Sequence, residues 1–224
     1  MARFDRLKVF NTILETGLVP LFYEAKLEIS QKILKALYDG GARVAEFTNR
    51  GDGAIDVFNP LAEFAASACP SLILGVGSIV DAPTAALYLA RGAHFVVGPS
   101  LNAEIARLCN RHKIAYLPGC GSASEISQAE EVGAEIVKVF PGNSVGGPPF
   151  VKAVMGPMPW SRLMPTGGVE ATQESIGEWI KAGAACVGLG SGLVKQDWVK
   201  AGKFEEISGL TRQALGWIAE ARKK

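Results

Sequence analysis

The stretch GGARVAEFTNRG, residues 40 to 51, joins two structural signals within a few residues. A glycine pair closes an amphipathic segment, and a run rich in valine, phenylalanine and threonine follows at once. Glycine reaches the left-handed conformation that ends many helices, so Gly41 suits a helix C-cap. The run ARVAEFT from Ala42 then reads as a strand.

The same junction recurs at Gly92-Ala93, Gly133-Ala134 and Gly183-Ala184, at successive separations of 51, 41 and 50 residues from Gly41 onward. Each interval is close to two βα units, so the junctions mark every second strand of an eight-unit array. The other strands fill in between: GLVPLFY from Gly17, LILGVGS from Leu72, AYLPGC from Ala115 and RLMPTGG from Arg162. With HFVVGP from His94, EIVKVFP from Glu135 and CVGLGSG from Cys186 the total is eight. Amphipathic stretches separate them, and no Ser/Pro-rich linker interrupts the chain. This pattern predicts an α/β fold, a (β/α)8 TIM barrel forming a single domain over residues 1–224. Residues 1–16 are expected to add an N-terminal helix, from Arg3 to Glu15, that caps the N-terminal mouth, and residues 203–222 to form the last helix. The rival, an open doubly wound sheet, would carry GxGxxG after its first strand, and that fingerprint is absent.

Composition sets the class of partner. Of 224 residues, 48% are hydrophobic and 20% charged, with a formal net charge of +1. That describes a globular chain with a sizeable core and gives no sign of a nucleic-acid or membrane partner. The N-terminus MARFDRLKVFNTILETG carries scattered charges and no uninterrupted apolar core, which argues against a signal peptide. A cytoplasmic, reducing location is therefore expected. Cys69, Cys109, Cys120 and Cys186 match no metal-ligand spacing and read as free thiols, while His94 and His112 read as structural.

The chemistry is concentrated in two strands. In AEIVKVFPG, residues 134 to 142, strand alternation groups Ile136, Lys138 and Phe140 on one side and Val137 and Val139 on the other. If the valines face the helices, Lys138 points into the barrel near the strand ends where barrel enzymes hold catalytic groups. On the second strand Val44, Glu46 and Thr48 share the inward side. A snorkelling lysine or a structural ion pair is the bland alternative, but buried ion pairs stabilise poorly compared with apolar packing. A desolvated lysine instead becomes a free amine able to attack a carbonyl, and a neighbouring carboxylate can move protons. Arg50, in the loop after the second strand, could clamp a carboxylate by two hydrogen bonds or simply be a solvated surface arginine. GVGS, ending at Ser78, allows close backbone approach at Gly75 and Gly77, for the site or for tight packing. Gly167 and Gly168 in PTGG, with Gly190 and Ser191 in GLGSG, offer exposed backbone N–H groups at a position that commonly binds phosphate in barrels. The loop PGNSVGGPP after Lys138 is expected to shape the mouth.

These motifs resemble the 2-keto-3-deoxy-6-phosphogluconate (KDPG) and 4-hydroxy-2-oxoglutarate (KHG) aldolases, class I enzymes on a compact (β/α)8 barrel. The resemblance runs from about Gly17 to the C-terminal helix through GGARVAEFTNRG, GVGS, YLPGCGSASE, EIVKVFPGNSVGG, PTGGV and GLGSGLV. It implies Lys138 as the Schiff-base lysine, Glu46 as the acid/base and Arg50 as the clamp on the pyruvate-derived carboxylate. Ser78 stands where the family usually has threonine, and Thr166, Gly167, Gly168, Gly190 and Ser191 would line the phosphate end. It further implies no metal or cofactor, a homotrimer, and a 2-oxo acid and an aldehyde as partners. The expected reaction is cleavage of KDPG to pyruvate and glyceraldehyde 3-phosphate, and of 4-hydroxy-2-oxoglutarate to pyruvate and glyoxylate. NRG replaces the usual Leu-Arg-Thr, GPS at Gly98 to Ser100 replaces Ser-Pro-Gly, and Gly142 stands for alanine, which leaves the aldehyde open. Two rival readings remain: a phosphate-binding barrel without imine chemistry, such as an isomerase or a thiamine-phosphate-synthase-like enzyme, and a non-catalytic sugar-acid binder.

Overall fold

A computed structural model describes residues 3 to 223; Met1, Ala2 and Lys224, the outermost residues of the expected domain and of the expected 1–16 cap, lie outside the described residues. Strands β1 (Leu18–Phe22), β2 (Val44–Thr48), β3 (Ile73–Gly77), β4 (Phe95–Val97) and β5 (Ala115–Leu117) are all parallel neighbours, and β6 (Gly119–Cys120), β7 (Val137–Val139) and β8 (Leu163–Pro165) form a second parallel group. β9 (Val187–Leu189) returns to β1. The bridge Thr166–Gly188 and the bond from Ala185 N–H to the Leu163 carbonyl at 2.9 Å join β8 to β9, which closes the ring.

The eight expected strands are all present, and the ninth segment has a local cause. AYLPGC is one strand divided at Pro118, which has no N–H to give a ladder. β5 pairs with β4 before the proline and β6 pairs with β7 after it, while the Pro118 carbonyl still accepts from Lys138 N–H at 2.9 Å. Gly41, Gly92, Gly133 and Gly183 have φ of 103°, 89°, 88° and 108°, the left-handed region the junction pattern called for.

Strand alternation sorts the core into two layers. Val19, Val44, Ile73, Phe95, Ala115, Ile136, Met164 and Cys186 point inward and pack together. Ala45, Phe47, Val76, Val137 and Val139 join the layer between barrel and helices. The first helix, α1 (Arg6–Thr16), lays Val9, Phe10 and Ile13 across the inner layer and seals the N-terminal mouth. Burying each such side chain stabilises by about 1.5–3 kcal/mol. α1 begins three residues later than expected because the Asp5 carboxylate accepts from Lys8 N–H at 2.8 Å, making Asp5 the N-cap. Arg3 instead donates its guanidinium to the Ala66 and Leu72 carbonyls.

The outer helices follow in order: α2 (Leu27–Asp39), α3 (Ala54–Ala68), α4 (Ala82–Ala90), α5 (Ala103–His112), α6 (Ala123–Glu131), α7 (Gly147–Met155), α8 (Gln173–Lys181), the short α9 (Gln196–Lys200) and α10 (Phe204–Arg222). α10 packs against both α8 and α2, completing the helix ring. PGNSVGGPP is only partly a loop: α7 starts at Gly147, with proline tolerated in its first turn where N–H groups lack helical partners.

Candidate active site

β2 and β7 bring Glu46 and Lys138 to the open end of the barrel, in the register Glu46–Gly75 and Lys138–Gly119. Glu46 is 1% exposed and Lys138 4%, so both ionisable groups have left bulk water. They are not joined: among the described residues the ion pairs are Lys35–Asp39 and Arg162–Glu135, both at the surface. Glu46 Oε2 is buried with no hydrogen-bond partner. A pair built for stability would close that gap, because an unsatisfied buried carboxyl costs about 1–3 kcal/mol or more.

Burial acts on the two groups in opposite senses. It pushes the Glu46 carboxyl above the usual carboxylate range, with the Lys138 and Arg50 charges opposing. It pushes the Lys138 amine below its usual value, against the attraction of Glu46 and with help from Arg50. Both groups are thereby driven toward their neutral forms, a nucleophilic amine and a carboxylic acid with a proton to give. The Lys138 Nζ lies 4.8 Å from the centroid of the Phe140 ring, which covers one side of the amine.

Gly77 makes room for Glu46. A Cβ there would meet Glu46 Cγ at 2.8 Å and collide with the carboxyl itself. Gly75 serves the core instead, since its Cβ would run into the ring of Phe95. The two glycines of GVGS thus have different causes. Ser78, next in the chain, has φ 59°, a left-handed conformation uncommon for a residue with a side chain. Its Oγ accepts from Arg50 Nε at 3.3 Å, so the arginine spans from the β2 end to the β3 end at the mouth.

On the other side of Lys138, Thr166 N–H donates to the Val139 carbonyl at 3.0 Å, and Thr166 Oγ1 is buried without a partner above Gly188. Gly167 and Gly168 have φ of 81° and 90°, and their N–H groups and that of Ser191 make no backbone hydrogen bond among the described residues. Gly190 lies against Leu21 at the end of β9. Gly142 N–H donates to the Thr166 carbonyl at 2.9 Å, and a Cβ at Gly142 would stand 2.6 Å from the Gly167 oxygen. Glycine at 142 therefore lets the loop after Lys138 close down on the Gly167 turn.

The structure accordingly gathers Lys138, Glu46, Arg50 and Ser78 on one side of the mouth, with Thr166, Gly167, Gly168, Gly190 and Ser191 around β8 and β9. Sequence reasoning gave no role to Phe140, although alternation had set it on the face of Lys138, and it could not separate Gly77 from Gly75. A groove of about 680 Å³ between α2, α3 and α10, lined by Lys32, Lys35, Phe64 and Phe204, holds none of these residues. Among the described residues no cluster of three His, Cys, Asp or Glu could hold a metal ion, and no helix is long and apolar enough to cross a membrane. His94 is buried with Nδ1 3.0 Å from the Leu74 carbonyl, on the closed side of the barrel.

The sequence model of the family described as KDPG and KHG aldolase matches residues 9–210. A 2-dehydro-3-deoxy-phosphogluconate aldolase of Pseudoalteromonas atlantica is 33% identical over 90% of this chain and 91% of its own. A KHG/KDPG aldolase of Escherichia coli K12 is 32% identical over 92% of this chain and 94% of its own. The solved KDPG aldolase of Legionella pneumophila, in which pyruvate was captured as a covalent carbinolamine, superposes with a TM-score of 0.82 at 27% identity, over 91% of this chain and 96% of that one. The family model and these relatives span nearly the whole chain, and the protein belongs to the KDPG and KHG aldolase family.

Proposed function

We propose that this aldolase cleaves KDPG to pyruvate and glyceraldehyde 3-phosphate through an imine on Lys138, with 4-hydroxy-2-oxoglutarate as a second substrate giving pyruvate and glyoxylate. The observation that carries the assignment of residues is the buried, unjoined pair Lys138 and Glu46 at the open end of the barrel.

The neutral Lys138 amine attacks the C2 ketone, and the protonated Glu46 gives a proton to the oxygen, forming a carbinolamine. Loss of that oxygen as water leaves a protonated imine. The C3–C4 bond then breaks toward the imine: its electron pair forms the enamine, the Glu46 carboxylate takes the proton of the C4 hydroxyl, and the aldehyde departs. Glu46 returns the proton to C3, water adds to the imine carbon, giving one proton to the nitrogen and the other back to the Glu46 carboxylate, and pyruvate leaves with the Lys138 amine and the Glu46 acid restored. Arg50 holds the C1 carboxylate by its guanidinium fork, with Ser78 beside it. Thr166 supplies its unpartnered hydroxyl to the substrate, and the N–H groups of Gly167, Gly168, Gly190 and Ser191 receive the phosphate.

The assembly is a homotrimer working in the cytoplasm; the four free, buried cysteines are in keeping with a reducing compartment. Light scattering at working concentration tests the trimer. Incubation with pyruvate followed by borohydride reduction and peptide mass analysis tests the imine, with added mass expected on the Lys138 peptide. A folded protein that gains no mass there would return the site to a phosphate-binding barrel without imine chemistry.

A further inference from the structure

We propose that Tyr88 is a positioning residue for Arg50, fixing residues 49–53 so that the guanidinium faces the substrate carboxylate. The proposal rests on the clamp role given to Arg50 above. Arg50 is exposed, and among the described residues its one side-chain hydrogen bond, to Ser78, is long. Its aim therefore depends on the backbone to either side.

That backbone is fastened on both flanks. Asn49 N–H donates to the Gly77 carbonyl at 2.8 Å, tying the loop to β3. Its side chain turns away from the barrel, where Oδ1 accepts the Tyr88 hydroxyl at 2.8 Å. Tyr88 is 1% exposed on α4, with its ring edge-on to Phe58 at 5.0 Å, and Phe58 packs in turn on Phe47 at 6.1 Å. Phe47 neighbours Glu46 in the chain, so the hydroxyl is anchored to the core that also places the carboxyl. Burial pushes the Tyr88 phenol up to about 12, which keeps it a donor. Beyond Arg50, a Cβ at Gly51 would strike the Tyr23 hydroxyl, and the Tyr23 ring also leans on Phe47, at 5.8 Å. The Gly51 carbonyl then accepts from Ala54 N–H at 3.0 Å, where α3 begins. Asn49 and Gly51 thus each meet a phenol, Asn49 by a hydrogen bond and Gly51 by contact.

The alternative is that Asn49 merely satisfies a buried hydroxyl. Steady-state cleavage of KDPG and thermal midpoints would be measured for Tyr88→Phe, Asn49→Ala, Arg50→Gln and the Tyr88→Phe/Arg50→Gln double variant. Losing the bond should raise KM roughly three- to tenfold with kcat within about twofold, and the double variant should be no worse in KM than Arg50→Gln alone. Wild-type KM in Tyr88→Phe and Asn49→Ala, or KM effects that multiply in the double variant, would overturn the proposal while leaving the clamp intact. Wild-type KM in Arg50→Gln would overturn the clamp itself and the proposal with it. Should Tyr88→Phe fail to fold, Asn49→Ala with Asn49→Ala/Arg50→Gln makes the same comparison.

Discussion

Replacing Gly77 with alanine tests whether the site depends on the seat of the Glu46 carboxyl. The new Cβ would stand 2.8 Å from Glu46 Cγ and inside the volume of the carboxyl group. Ordinary carbon contacts begin near 3.5 Å, so the carboxyl must swing aside by about 1 Å or more. Proton transfer requires heavy atoms within roughly 2.6–3.2 Å, and a misplacement of about 1 Å costs on the order of 100-fold in rate. A loss of roughly 100-fold in kcat is therefore expected. The fold should tolerate the change better: the obstructing group is the end of a side chain, and such overpacking costs about 1–3 kcal/mol. Gly75→Ala should behave in the opposite way, because its Cβ would press on the fully buried Phe95 ring. It should lower the thermal midpoint while sparing kcat in the folded fraction. The assay is single-turnover cleavage of KDPG beside thermal unfolding, with borohydride trapping of pyruvate to show that Lys138 still reacts. Wild-type kcat in Gly77→Ala would refute the role given to the Glu46 seat, and a catalytic loss in Gly75→Ala as deep as in Gly77→Ala would refute the separation of the two glycines.

Lys138→Met should abolish both turnover and the borohydride adduct; retained cleavage would remove Lys138 from the mechanism. The same variant should unfold at a higher temperature near neutral pH, since the lowered folded pKa means that the unfolded chain binds more protons there and wild-type stability rises with pH toward the ordinary lysine value of 10.5. Glu46→Gln should slow proton transfer while leaving oxo-acid binding in place. Because the Glu46 pKa is raised in the folded state, wild-type stability falls as pH climbs from about 4.5 through the folded value, and the glutamine variant should lose that fall; parallel stability–pH curves for the two proteins would contradict the assignment. Thr166→Val removes a buried hydroxyl that has no partner, so the thermal midpoint should hold or rise while kcat/KM drops; unchanged kcat/KM would show that substrate does not use it.

The barrel was legible in the sequence because its signals are local. A left-handed glycine ends a helix whatever its surroundings, and a strand's two faces alternate whatever lies opposite, so the Gly-Ala junctions and the inward parity of Lys138 and Glu46 could be read directly. Helix α1 was readable for the same reason, though its start needed the Asp5 carboxylate placed against Lys8 N–H. The gap between Lys138 and Glu46 was beyond reach, since the two residues lie 92 positions apart and their separation is set by closure of the barrel. The two glycines of GVGS looked alike for the same cause: one faces Phe95 and the other Glu46, and each obstacle comes from a neighbouring strand.

Residue types and their alternation along the chain thus determined the elements, the direction each side chain takes and the kind of chemistry available, because these depend on neighbours within a few positions. Tertiary structure alone decided that the carboxyl would stay unpaired, that its seat would be Gly77, that Phe140 would lie under the amine, and that Tyr88 would hold the loop bearing Arg50. Each of those is a contact between segments far apart in sequence, fixed only when strand pairing and helix packing bring their side chains within a few ångströms.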